Sequence, residues 1–88
     1  MKTVVVIHTW KDNQANQVME FAKKVTDMAR ANKLPQGLEL QSIDLAKGKN
    51  NATCLWKVDS LDHLMQVASS LGPTWEINAF EVSNFYSK

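Results

Sequence analysis

Apolar residues recur along this chain with two different spacings, and those spacings predict its elements. Residues 3 to 10, TVVVIHTW, are β-branched or apolar at nearly every position, which predicts a strand covered on both faces or nearly so. From about residue 13 to 32 the apolar positions are three and four apart, which predicts an amphipathic helix. Its apolar stripe comprises Ala15, Val18, Met19, Phe21, Ala22, Val25, Met28 and Ala29. Leu34-Pro35-Gln36-Gly37 predicts the end of this helix.

The second half of the chain shows the same two spacings. In chain order it predicts a strand at 38–45, a polar hairpin loop at 46–51, a strand at 52–58, a helix capped by Asp59-Ser60 and closed by Gly72-Pro73, and a strand from about 77 to 86. The stripe of this second helix comprises Leu61, Leu64, Met65, Ala68 and Leu71. Phe80 and Val82 are expected on one face of the last strand.

The order βαββαβ predicts an α+β, ferredoxin-like sandwich in a single domain, 1–88, with a four-stranded antiparallel sheet and two helices on one face. Right-handed crossovers place the first and third strands at the centre of the sheet. Two helices cover only one face of such a sheet, so one side of the first strand lies on the helix-free face. The candidate sides are Val4, Val6, His8 and Trp10, or Val5, Ile7 and Thr9. Neither is polar, which predicts a homodimer that buries the open face.

Charge and cysteine content narrow the choice of partner and compartment. Ten Lys and Arg residues balance nine Asp and Glu, and the net charge of +1 gives no electrostatic case for nucleic acid or an anionic membrane. No segment has the run of about 20 apolar residues that spans a bilayer. The lone Cys54 excludes an internal disulfide and favours a reducing compartment. We therefore expect a cytoplasmic protein with neither a nucleic-acid nor a membrane partner.

The stretches GLELQSIDL, NATCLWKVDSLDHLMQVASSLG and EINAFEVSNFY, together with the element order, resemble the dimeric α/β-barrel superfamily. The likeness covers roughly Leu34 to Tyr86. Its layout is similar to muconolactone isomerase and its relatives, and to small ferredoxin-like proteins of which some bind nickel. The resemblance implies two protomers that pack their sheets into a closed barrel. No family motif fixes catalytic or metal-binding residues here.

His8, near the end of the first strand, is the candidate catalytic residue. On the open face its imidazole would project into the cavity between two sheets as an acid, a base or a metal ligand. The alternative is a histidine that bonds a neighbouring group and serves only the fold. Cys54 fits the role of a small buried apolar residue better than that of a reactive thiolate.

Polar residues on the two strands of the predicted hairpin form a candidate ligand site. Glu39, Gln41, Thr53 and Lys57 are expected on one face, where they would line a cleft for a small acid or similar ligand. The alternative is a cross-strand pattern in which Glu39 and Lys57 form an ion pair of little energetic value. Trp10, at the end of the first strand, and Tyr86, near the C-terminus, complete this candidate set.

Three functions remain open at this level. The first is a dimeric module that binds a small apolar or acidic ligand, or a divalent metal ion, on the helix-free face of the sheet. The second is a cofactor-independent isomerase or oxygenase-like enzyme that uses His8 as acid or base. The third is a structural dimerisation domain. The sequence identifies no cofactor.

Overall fold

A computed structural model describes all 88 residues of the chain. The elements are β1 Lys2–Thr9, a 3₁₀ turn Asp12–Gln14, α1 Ala15–Arg30, β2 Leu38–Leu45, β3 Asn51–Val58, α2 Leu61–Ser70 and β4 Glu76–Val82. The order βαββαβ is confirmed, and so is the α+β class with one four-stranded sheet and two helices. The architecture is that of a ferredoxin-like fold.

The strands lie in the order β2-β3-β1-β4, and every neighbouring pair is antiparallel. The prediction that the first and third strands form the centre is therefore confirmed. Val5 of β1 lies between Leu55 of β3 and Phe80 of β4, so these three side chains share one face. Val4 lies opposite Trp56 and shares the other face with it.

The core lies between the sheet and the helices. Val4, Val6 and His8 of β1 point into it, and Val4, like Val58 of β3, is completely buried. Val25 of α1 and Leu64 of α2 pack against them from the helical layer. Odd-numbered residues of β1 point to the helix-free side and are exposed or only partly buried. The chain itself therefore covers β1 fully on one face only, whereas the sequence predicted a strand covered on both faces or nearly so.

Two boundaries differ from the sequence-based expectation. The helix proper begins at Ala15 because residues 12–14 form a 3₁₀ turn, and the last strand ends at Val82 rather than near residue 86. Val82 pairs with Thr3, so almost no β1 residues remain beyond it to serve as hydrogen-bonding partners. Met19, expected in the buried stripe, is 40% exposed.

An irregularity between Leu40 and Ser42 shifts the register of β2 against β3. Such a bulge inserts an extra residue and changes which side chains share a face. Glu39 lies opposite Lys57 before the bulge, and Asp44 lies opposite Thr53 after it. Residues of opposite parity therefore reach the same helix-free face of β2.

The start of α2 confirms the predicted Asp59-Ser60 cap. The Ser60 hydroxyl accepts a hydrogen bond from the backbone N–H of His63 at 3.1 Å, which satisfies one free donor of the first turn. The Asp59 carboxylate accepts from the Ser60 N–H at 2.7 Å and from Nδ1 of His63 at 2.9 Å. The backbone N–H of Asp59 donates to the carbonyl of Gly37 at 2.9 Å, which ties the cap to the loop before β2.

Gly37 and Gly48 provide a matched pair for testing this cap. Both have a positive φ, but a Cβ at Gly37 would overlap the Asp59 carboxylate, whereas a Cβ at Gly48 would meet open space. We expect Gly48→Ala to lower the free energy of unfolding by about 1 kcal/mol through backbone strain alone. Gly37→Ala should lose more because it also displaces Asp59. Urea unfolding measures both variants, and equal losses would contradict this account of the cap.

Candidate functional site

His8 lies under the helices, on the side of β1 that faces the core. Its side chain is 6% exposed and is the only buried polar one. In the sheet it stands between Ala52 of β3 and Ile77 of β4. The Phe21 ring of α1 lies 6.0 Å away, between ring centroids. The imidazole is therefore remote from the open face, on which a catalytic role in a cavity between two sheets depends.

Both ring nitrogens of His8 have buried partners. Nε1 of Trp75 donates to Nδ1 of His8 at 3.0 Å, and Nε2 of His8 lies 3.4 Å from Sγ of Cys54. Because an indole N–H only donates, Nδ1 must be the acceptor, and the proton of the neutral imidazole resides on Nε2. Nε2 then donates to the sulfur. The result is a continuous chain of hydrogen bonds from Trp75 through His8 to Cys54.

Burial lowers the pKa of His8 below its usual 6.5, which favours the neutral ring. Protonation at Nδ1 would also place an N–H against the donating N–H of Trp75. Burial, aided by the negative charge of Asp44, raises the pKa of the Cys54 thiol to about 11, so the sulfur is not a thiolate nucleophile. This arrangement favours a structural role for His8 over acid–base catalysis, since the lone pair on Nδ1 is occupied.

Trp10 lies beside this network rather than on the helix-free face. It is 8% exposed and packs with Val18, Ala52 and Trp75 in a small core cluster. Its backbone N–H donates to the carbonyl of Asn50, which joins the end of β1 to the β2–β3 loop. Trp10 is therefore separated by the sheet from the other predicted ligand residues.

A cavity of about 50 Å³ lies between the sheet and the two helices. Of its 15 lining residues, 14 are hydrophobic, and the exception is His8. The walls include Val25 and Ala22 of α1 and Leu64 of α2. This space is on the opposite side of the sheet from the helix-free face.

The helix-free face carries an apolar band that extends across three neighbouring strands, β3, β1 and β4. The band consists of Val5, Ile7, Leu55, Phe80 and Val82, which lie next to one another in the register of β3, β1 and β4. Phe80 is 40% exposed, and the other four are partly buried. No helix of the chain covers them, so the band faces solvent.

One cleft on this face, next to the segment that follows β4, is bordered by both Lys57 and Tyr86. The cleft is lined by Thr3, Lys57, Val82, Ser83, Asn84, Phe85 and Tyr86. The segment after β4 thus lies alongside the start of β1 and the end of β3. Nζ of Lys57 donates to the Thr3 hydroxyl at 2.8 Å. The sole side-chain ion pair in the chain joins His63 to Asp59, so Lys57 forms none.

The remaining predicted residues are spread over the open face and its edge. Glu39 is the cross-strand partner of Lys57, but the expected alternative of an ion pair between them does not occur. Gln41 lies at the bulge and, with Glu39, borders a groove at the β2 edge near Pro35. Thr53 is exposed four residues along β3 from Lys57, a separation of about 13 Å at 3.3 Å per residue.

Comparisons with protein-family models, with curated proteins and with solved structures each gave no match. No three His, Cys, Asp or Glu side chains come close enough together to hold a metal ion. Neither helix has the length and apolar character required to cross a membrane. The assignment to the dimeric α/β-barrel superfamily therefore stays a prediction, although the ferredoxin-like fold agrees with it.

Two features of the site escaped the sequence analysis. The bond between Trp75 and His8 joins residues 67 positions apart, and no local pattern signals it. The contribution of Asn84 and Ser83 to the cleft was missed because β4 was expected to continue through them. Their polar, non-alternating sequence was the available signal that the strand had ended.

The His8 network predicts a pH dependence of stability. Because the pKa of His8 is lower in the folded chain than its unfolded value of 6.5, the unfolded chain binds the proton more tightly. The contribution to stability is complete above that pH and declines as the pH falls from 6.5 toward the folded-state pKa. We expect the free energy of unfolding in urea to decline accordingly between pH 8 and pH 5, and His8→Gln to remove this decline.

His63→Gln is the matched control. It removes the other histidine and should leave the decline between pH 8 and pH 5 in place. The pKa of Asp59 is also lowered, by its hydrogen bond with His63, but from 3.8, so its contribution is lost only in more acidic solution. A wild-type stability that is the same at pH 8 and pH 5 would contradict the buried neutral imidazole.

Proposed function

We propose that this chain is a homodimeric binding protein in which two copies pack their helix-free faces together and hold a small carboxylic acid near Lys57. The observation that carries the proposal is the open face itself: an apolar band without a covering helix, bordered by the Lys57 ammonium, which forms no ion pair within the chain. The likeness to the dimeric α/β-barrel superfamily supports the same arrangement, because its members pair their sheets.

The size of the face suits a second copy. Four strands about 4.8 Å apart and eight residues at about 3.3 Å each give roughly 19 by 26 Å, or about 500 Å² in projection. Projecting side chains make the accessible area larger. That is the order required for a stable interface of about 800 Å² per partner. A chain of 88 residues also gains from such burial, because a small domain covers a modest fraction of its own surface.

The chemistry of the face also suits a second copy. The band formed by Val5, Ile7, Leu55, Phe80 and Val82 is contiguous and apolar, as the centre of an isologous interface is. Glu39 and Lys57 supply both signs of charge at its margin. Two copies related by a two-fold axis can therefore meet without a uniform like-charge repulsion.

Lys57 indicates the class of ligand. Its ammonium uses one donor on the Thr3 hydroxyl, which leaves two N–H groups for an acceptor. Phe85 and Tyr86 border the same cleft and offer apolar and aromatic surface. A carboxylate with a small apolar body would satisfy both features. The dimer would shield this ion pair from water and so strengthen it.

The alternative of an isomerase or oxygenase with His8 as acid or base has less support. His8 lies under the helices with Nδ1 accepting from Trp75 and Nε2 next to Cys54. A purely structural dimer is the result expected if the open face pairs and Lys57 binds no acid.

Phe80 and Met19 test the dimer as a matched pair, since both are 40% exposed but lie in the sheet and the helical layer respectively. We expect the wild type to sediment as a dimer at micromolar concentration. Phe80→Asp should sediment as a monomer because it places two charges in an apolar interface, whereas Met19→Asp should remain a dimer. A monomeric wild type, or a dimer that only Met19→Asp disrupts, would refute the proposed interface.

Benzoate and acetate serve as probes of the ligand site in titrations followed by NMR. We expect benzoate to bind more tightly than acetate, because its ring gains apolar contact in the cleft. Lys57→Gln should weaken benzoate binding by about 10- to 100-fold, the equivalent of one charge-assisted hydrogen bond. Lys49→Gln, in the exposed hairpin loop, is the control and should not change it. Equal affinity in wild type and Lys57→Gln would show that the cleft is not the site.

A further inference from the structure

The cavity beneath the helices lies on the opposite side of the sheet from the proposed dimer face and has a different character. It has a volume of about 50 Å³, and valine, leucine, isoleucine and alanine side chains dominate its walls. Ala22 of α1, Ala68 of α2 and Ala52 of β3 all border it. Small side chains from three elements meet there and leave the space that larger ones would fill.

The cavity does not suit water. A buried water molecule needs two to four polar partners. Apart from the Cys54 thiol and the indole N–H of Trp56, His8 supplies the only polar group in the wall, and its nitrogens are directed at Trp75 and Cys54. No buried side-chain nitrogen or oxygen in the chain lacks a hydrogen-bond partner, so none requires a water there. The space therefore favours apolar occupants.

The side of the cavity near the β2–β3 loop has the features of an entrance. Leu45, at the end of β2, borders the cavity and yet is 53% exposed. Met65 of α2 is half-buried beside the same space. Methionine adapts its shape to different occupants, which suits Met65 to a position at such an entrance.

We propose that this cavity binds small neutral apolar molecules. Its volume is about a third of the roughly 150 Å³ of an engineered apolar cavity that binds benzene or xenon, which limits the occupant to a few heavy atoms. Such an occupant restores the dispersion contacts that the lining side chains lack on their open side. The site is independent of the acid site at Lys57, since the sheet separates the two.

Xenon is the probe, and methyl NMR under xenon pressure, with helium at equal pressure as the reference, is the measurement. Saturable shifts are expected for the methyls of Val18, Leu64 and Ile77, which line the cavity. The methyls of Val5 and Val82 on the open face should not shift. No saturable shift, or saturable shifts confined to the open face, would overturn the proposal.

Variants with larger side chains in the cavity wall provide a second test of xenon binding. Ala68→Leu should reduce xenon affinity at least tenfold, whereas Ala31→Leu, at an exposed position beyond α1, should leave it unchanged. Ala22→Met fills the same space from the other helix and replaces Ala68→Leu should that variant unfold. Xenon shifts that persist unchanged in a folded filling variant would contradict the assignment. Benzoate binding should be the same in these variants, so failure here is distinct from failure at Lys57.

Discussion

The structure depends on one geometric constraint: two helices can cover only one face of a four-stranded sheet. Because successive side chains of a strand point to opposite faces, neighbouring residues of β1 lie alternately on the covered and the open face. Val4, Val6 and His8 enter the core, and Val5 and Ile7 face outward. Both sets are largely apolar, so the strand that stabilises the protomer also leaves it with a surface that water solvates poorly.

On the covered face, the polar groups are arranged for stability. The chain of hydrogen bonds from Trp75 through His8 to Cys54 joins the start of β4 to β1 and β3. No buried side-chain nitrogen or oxygen is left unpaired. Removing one partner from such a network costs more than the bond itself contributes. The same completeness makes His8 a poor proton acceptor. The open face and its cleft at Lys57 are consequently the better place to seek function.

The element order followed from the sequence because apolar spacing and β-branched runs distinguish helices from strands, as in TVVVIHTW and LELQSIDL. The central position of β1 and β3 followed from the handedness of the crossovers. The face occupied by His8 did not, since both sides of β1 are apolar and only packing decides between them. The bulge near Gln41 and the end of β4 at Val82 depend on the reach of partner strands. Lys57 and Tyr86 were both candidate ligand residues, but their shared cleft and the Thr3 hydroxyl as the partner of Lys57 arise from tertiary contact alone.

The central claim is that a second copy of this chain covers the helix-free face. An isotope-filtered NOE experiment on a sample that mixes labelled and unlabelled protein tests it most directly, because it detects only contacts between copies. We expect intermolecular NOEs among Val5, Leu55, Phe80 and Val82, which belong to the apolar band. Intermolecular NOEs that instead involve Met19 or other residues of the helical layer, or none at all at concentrations where a dimer should form, would contradict it.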